Sequence, residues 1–215
     1  MTSDACDAAD VTGTLLYLHG FLSSPLSAKA VQTGAALASR YPGMSFECPA
    51  LSPYPREVEA TIRAIANRGG PLVFMGSSLG GFWATWCAEV FGGRAVLINP
   101  ATQPALLELA YVGKTLGNYH TEQTYRLTRD HVRELLGFER PRIMCPENLL
   151  VLLQTGDEVL DYRLALAKYH GARVITESGG DHSFTGFERY LDEALDFLAA
   201  GAGHAAAARG TNECA

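Results

Sequence analysis

The stretch Pro71-Leu-Val-Phe-Met-Gly-Ser-Ser-Leu-Gly-Gly81 decides how this chain folds. Its apolar run, with Val73 and Phe74 at the centre, reads as a short buried strand that ends at Gly76. Ser77-Ser78-Leu79-Gly80 then pass directly into a helical pattern carried by Phe82, Trp83, Trp86, Cys87 and Val90. Strand, Gly-x-Ser-x-Gly, helix is the setting of a nucleophile elbow, a turn so tight that glycine is required two positions either side of the serine. Gly76 and Gly80 occupy those positions and leave Ser78 projecting from the bend. The plainer alternative is a helix-capping serine in a glycine-rich loop, which the short motif alone does not exclude. The strand before it and the helix after it favour the elbow.

Outward from the elbow, strands and helical patterns alternate. Residues 14–18 read as a strand closed by His19-Gly20, and 27–40 as a helix stopped by Pro42-Gly43. Residues 45–48 form a short edge strand before a proline-rich loop, and 57–67 a helix with Val58, Ile62 and Ile65 on one face. Strands follow at 94–98, 149–153 and 172–176, and helices at 162–169 and 187–199. This rhythm predicts an α/β fold with about six mostly parallel strands, right-handed crossovers and helices on both faces. Residues 101–147 break it, being too long for an ordinary connection. They carry helical stretches at 104–112 and 129–136 around a polar loop holding Asn118, Tyr119, His120, Gln123, Tyr125 and Arg126, and read as a small helical lid inserted in a domain spanning 13–200. The ends, 1–12 and the Ala/Gly-rich 201–215, read as disordered, with a frayed extension of the last helix as the alternative for the second.

Bulk properties exclude several partners. At 215 residues the chain suits one domain with a sizeable core. A formal net charge of -6 and the lack of a Lys/Arg cluster argue against nucleic acid. The acidic start, residues 1–10, lacks the basic and apolar regions of a signal peptide, and no apolar run reaches membrane-spanning length. The five cysteines (Cys6, Cys48, Cys87, Cys145 and Cys214) are odd in number and scattered, with no zinc-like spacing. They read as reduced thiols of a cytoplasmic protein, Cys6 and Cys214 being placed to form adventitious disulfides in vitro.

A serine hydroxyl is a weak nucleophile near neutrality and needs a base, which needs an orienting group. In elbow hydrolases these follow in the order Ser, Asp or Glu, His, each on a loop after a strand. Two loops fit: Gln154-Thr155-Gly156-Asp157-Glu158, and Gly179-Gly180-Asp181-His182-Ser183-Phe184. Ser78, Asp157 and His182 are therefore the expected triad. Asp157 as a mere turn cap is the competing reading. Asp161 reads as a helix N-cap, and Glu158 and Asp181 are weaker rivals. His182 alone among the six histidines follows a late strand in a glycine-rich loop. A tetrahedral intermediate needs two donors on its oxyanion, and the backbone N–H groups of Phe21 and Leu79 are the natural pair. His19 is read as structural, fixing its loop by hydrogen bonding, and Trp83 and Trp86 as core.

Taken together, these residues resemble the small bacterial esterases of the YqiA type within the α/β-hydrolase superfamily. The matching stretches are Leu-Leu-Tyr-Leu-His-Gly-Phe at 15–21, Ser-Ser-Pro-Leu-Ser-Ala-Lys-Ala at 23–30 and Gly-Ser-Ser-Leu-Gly-Gly at 76–81. Further matches are Ala-Thr-Trp at 84–86, Asn-Pro-Ala at 99–101, Gln-Thr-Gly-Asp-Glu-Val-Leu-Asp-Tyr at 154–162 and His-Ser-Phe-Thr-Gly-Phe-Glu at 182–188. The family tends to show His-Ala-Phe where this chain has His182-Ser183-Phe184. The resemblance runs from about residue 13 to about 199 and implies an intracellular carboxylic-ester hydrolase acting on small acyl esters, with acyl-CoA or acyl-carrier thioesters as the alternative. A different class of alternative is a catalytically idle hydrolase fold used for binding. No metal or organic cofactor is expected. An aspartate or a cysteine at the elbow would point to dehalogenase or dienelactone chemistry, and this chain has Ser78. Oligomeric state, acyl chain length and leaving group are left open.

Overall fold

The structure, a computed structural model, describes residues 8–118, 122 and 124–208. In chain order the elements are β1 (Gly13–Leu18), α1 (Ala28–Arg40), β2 (Met44–Glu47), α2 (Pro55–Ala66), β3 (Leu72–Ser77), α3 (Leu79–Phe91), β4 (Ala95–Ile98) and α4 (Pro104–Leu109). They continue with β5 (Thr115–Gly117), β6 (Thr124–Arg126), α5 (Arg129–Leu136), β7 (Leu149–Gln154), α6 (Tyr162–Lys168), β8 (Arg173–Glu177) and α7 (Leu191–Ala208). Six strands form one sheet in the order β2-β1-β3-β4-β7-β8, every neighbouring pair parallel.

A parallel sheet covered on both faces needs strands that are apolar on both sides. The central strands meet that need: β4 is Ala-Val-Leu-Ile and β7 Leu-Leu-Val-Leu-Leu-Gln, with every residue buried. Alternate residues then serve opposite layers. Leu16, Phe74, Leu97 and Val151 face a core completed by α2, α3, α5 and α6. Leu15, Val73, Val96 and Leu152 face one completed by α1 and α7. The α3 helix is apolar around most of its circumference, from Phe82 to Cys87, because it is enclosed rather than laid on the surface. Trp83 and Trp86 are core residues, each 2% exposed.

The chain adds strands outward from β1 on one side and from β3 on the other, so the order reverses between these two neighbours. At such a switch point the loops after the strands part and leave a crevice at their carboxyl ends. The loops after β1 and β3 are His19-Gly20-Phe21 and the Ser78 turn.

Several element bounds differ from the sequence reading, each for a physical reason. The second helix begins at Pro55, because the fixed φ of proline suits a first helical position. Within 101–147 the polar loop contains an antiparallel hairpin, Thr115↔Arg126 to Gly117↔Thr124. The last helical stretch splits into a 3-10 turn at Phe187–Tyr190 and α7. That helix continues to Ala208, into the tail expected to be disordered; Ala-rich sequence has the highest helix propensity. The expectations for 1–7 and 209–215, including those for Cys6 and Cys214, lie outside the described residues, as do those for Tyr119, His120 and Gln123. Among the described residues no helix is long and apolar enough to cross a membrane, and no cluster of His, Cys, Asp and Glu is arranged to hold a metal.

Candidate active site

Ser78 stands between the end of β3 and the start of α3 with φ 56°, ψ -121°, a left-handed conformation that a non-glycine residue adopts only when its surroundings enforce it. The enforcement is visible. The Ser78 N–H donates to the Ile98 carbonyl (3.0 Å), and its own carbonyl accepts from Gly81 (2.9 Å), Phe82 (3.3 Å) and Ala101 (3.0 Å). A Cβ on Gly76 would stand 2.1 Å from the Gly80 carbonyl oxygen, and one on Gly80 would stand 1.8 Å from that of Leu18. The turn therefore closes only with glycine at both positions, and it closes against the end of β1.

Three side chains expected to act together are adjacent. His182 Nε2 lies 3.0 Å from Ser78 Oγ, and His182 Nδ1 lies 2.9 Å and 3.0 Å from the two carboxyl oxygens of Asp157. The Asp157 side chain is 2% exposed and that of His182 23%. Burial alone would raise the Asp157 pKa, but the hydrogen bond from His182 and the N–H groups of Leu160 and Val159 outweigh it and hold the carboxyl below the usual aspartate range. With Asp157 ionised, Nδ1 carries the ring proton and Nε2 is left as the acceptor facing Ser78. Such a chain is able to take a proton from Oγ and hold the resulting imidazolium.

The three alternative acids have other duties. Asp161 N-caps α6, accepting from the Arg163 N–H at 3.0 Å. Asp181 accepts from the Thr185 hydroxyl (2.7 Å), and Glu158 accepts from the His182 backbone N–H (3.0 Å).

Two further residues build the histidine loop. Asn99, buried and with φ 40°, donates from Nδ2 to the carbonyls of Asp181 (3.0 Å) and His182 (3.3 Å), and accepts at Oδ1 from the Gln154 N–H (3.0 Å). Gln154, also buried, donates to the Thr185 carbonyl (2.8 Å) and accepts from the Asp181 N–H (3.0 Å). Sequence reading assigned neither residue a role. Both sit where an apolar strand ends in a polar side chain, and that was the available signal.

Phe21 and Leu79 line the cavity beside Ser78. A Cβ on Gly20 would come within 3.6 Å of the Ser78 Cβ, so the turn after β1 sits directly against the serine. That turn is fixed by His19, which is 3% exposed; its Nε2 accepts from the Leu51 N–H, and its Nδ1 therefore donates to the Gly20 carbonyl, both at 3.0 Å.

The cavity above Ser78 has a volume of about 600 Å3. Its walls come from the β1 turn, from Val159 and Leu160, and from α4 and the residues after it, including Leu107, Glu108 and Tyr111. Lys29 also lines it. Its Nζ donates to the Ser183 carbonyl at 2.6 Å, and burial lowers its pKa against the opposing pull of Asp181.

The fold is shared with solved structures of low sequence identity. Est1E from Butyrivibrio proteoclasticus is similar over 89% of this chain and 90% of its own, with a TM-score of 0.66 and 14% identity. Alpha/beta hydrolase domain-containing protein 10 from mouse is similar over 86% and 90%, with a TM-score of 0.63 and 19% identity. The esterase domain of a Rhodothermus marinus protein is similar over 94% and 89%, with a TM-score of 0.57 and 18% identity. These likenesses place the sheet and its helices in the α/β-hydrolase fold. A closer relationship spans nearly the whole sheet: the model of the Uncharacterised protein family (UPF0227) matches residues 14–199, from β1 into α7, and the chain belongs to that family.

Proposed function

We propose that this protein is a serine-dependent carboxylic-ester hydrolase acting on small-molecule acyl esters. The single observation that carries the reading is the unbroken contact chain from Ser78 Oγ through His182 to the buried Asp157, at the floor of a cavity of about 600 Å3. Ser78 Oγ attacks the acyl carbonyl while His182 Nε2 takes its proton. The N–H groups of Phe21 and Leu79 stabilise the oxyanion, Leu79 from the first turn of α3. Collapse expels the alcohol, protonated by His182, and leaves an acyl group on Ser78. Water, deprotonated by the same nitrogen, then releases the acid and restores the serine. Asp157 holds the ring orientation and offsets its charge in both halves.

Oxygen esters are favoured over thioesters with a phosphorylated arm. Lys29 is the one Lys or Arg among the described residues that line the cavity, and its ammonium is engaged with Ser183. The thiols of Cys48 and Cys87 support a reducing, cytoplasmic setting.

The test is fluorophosphonate labelling with the adduct located by mass spectrometry. Wild type is expected to carry the adduct on Ser78, and Ser78→Ala and His182→Ala to carry none. Ser78→Ala is also expected to lose on the order of 10³-fold or more in kcat with its thermal melt preserved. A folded wild type that takes no label would favour the idle binding module.

A further inference from the structure

Six residues of α4 invert the usual pattern of a surface helix. Its single charged residue, Glu108, is 4% exposed, while Leu106, Leu107 and Leu109 are 65%, 41% and 51% exposed. Pro104 and Ala105 share the buried face with Glu108. Turning the helix by half a revolution would bury the leucines and hydrate the carboxyl, so packing and solvation both argue against the observed orientation. The carboxyl is not compensated from within: Oε2 has no hydrogen-bond partner, and among the described residues no ion pair includes Glu108. Burial pushes its pKa up to about 8, so near neutrality the group is an acid with one O–H to donate and lone pairs to accept. Glu108 lines the same cavity as Ser78 and His182.

A buried polar group without a partner is costly, and in a binding cavity the missing partner is supplied by what binds. We propose that the unpartnered carboxyl of Glu108 hydrogen-bonds a hydroxyl group on the acyl chain of the ester, so that hydroxylated acyl esters are the substrate class. This rests on the hydrolase reading of Ser78. A hydroxyl matches a carboxylic acid in both directions, as donor and as acceptor. An ammonium would demand the ionised form, which a wall of Pro104, Leu107 and Ala110 disfavours. A carboxylate offers the acid no donor in return. The rest of that wall is apolar and suits the aliphatic part of the chain.

The experiment compares kcat/KM for 4-methylumbelliferyl octanoate with that for its 3-, 6- and 8-hydroxy counterparts, in wild type, Glu108→Leu and Glu108→Gln. Wild type is expected to prefer one hydroxy position over plain octanoate by roughly tenfold to a hundredfold, the penalty for leaving one buried polar group unpaired. Glu108→Gln, which still donates and accepts, should keep most of that ratio, and Glu108→Leu should abolish it. Fluorophosphonate labelling of each variant at Ser78 reports that its site is folded. Hydrolysis of octanoate with no hydroxy preference in wild type would overturn the inference and leave the hydrolase reading standing. A preference that survives in Glu108→Leu, or disappears in a labelled Glu108→Gln, would also overturn it. Failure of wild type both to cleave any ester and to take the label would remove the hydrolase reading, and the inference with it.

Discussion

Asn99 shows how much of the site depends on side chains that never meet the substrate cavity floor. One amide holds two carbonyls of the histidine loop and the last N–H of β7. It joins the strands that carry the expected acid and base to the strand beside the elbow. Asn99→Ala would leave those three backbone groups without that partner in a buried place, costing about 2–4 kcal/mol. The expected result is a lower melting temperature together with a kcat that falls more than KM rises, because the imidazole is displaced while the cavity walls remain. Asp157→Asn is the complementary case. It keeps the shape of the carboxyl but offers an N–H to Nδ1, which favours the wrong tautomer. A loss of roughly 10²–10⁴ in kcat with little change in melting temperature is expected from steady-state kinetics and a thermal scan. Ser78, Asp157 and His182 were legible in the sequence because each follows a strand in a loop with its own glycine signature. Asn99 and Gln154 were not, since a polar residue at a strand end acquires meaning only when a distant loop folds over it.

At the level of elements, α4 is the informative exception. Pro-Ala-Leu-Leu-Glu-Leu read as a sequence places the leucines inside, and periodicity offers no reason to bury Glu108. The hairpin of β5 and β6 was equally illegible, because three-residue strands are too short to show alternation. The orientation of α4 has a stability signature. An acid whose folded pKa is about 8, against roughly 4.3 for an unperturbed glutamate, binds its proton more tightly in the folded chain. Stability from this group is therefore full below the unfolded value and is lost as pH rises towards 8, with a slope of up to about 1.4 kcal/mol per pH unit. Glu108→Gln has no such slope. The difference in unfolding free energy between Glu108→Gln and wild type should grow by on the order of 2–4 kcal/mol from pH 5 to pH 8 in urea titrations. Lys29, His182 and Tyr111, which line the same cavity, are common to both chains and cancel to first order in that difference.

For the whole molecule, one sheet is shared by two cores, and the expectation is that they unfold as one cooperative unit. Leu97 and Leu152 are both fully buried, pair with neighbours on adjoining strands and face opposite layers. Leu97→Ala and Leu152→Ala should each cost about 2–5 kcal/mol. Both tryptophans lie in the layer of Leu97, so their fluorescence watches one face only. Coincident urea midpoints by fluorescence and far-UV circular dichroism, shifted alike by Leu152→Ala on the other face, would be the sign of a single transition. Separate midpoints would mean that the layers unfold apart. This architecture was the most legible level of all, because the four central strands, β1, β3, β4 and β7, each leave an apolar run between turn residues and the runs are spaced by helical patterns.

The segment between β4 and β7 leaves one strand and returns on its sheet neighbour, Ala95 standing opposite Leu149. No strand of the sheet has to shift to accommodate whatever chain lies between, and longer excursions cost little extra closure entropy. The serine, histidine and aspartate are anchored to a floor that this excursion does not interrupt, whereas Glu108 and the exposed leucines belong to the ceiling. On the proposed reading, substrate choice is a replaceable part: exchanging residues 102–113, which hold α4, for the corresponding stretch of a relative would change its clientele and leave Ser78, Asp157 and His182 on their own strands.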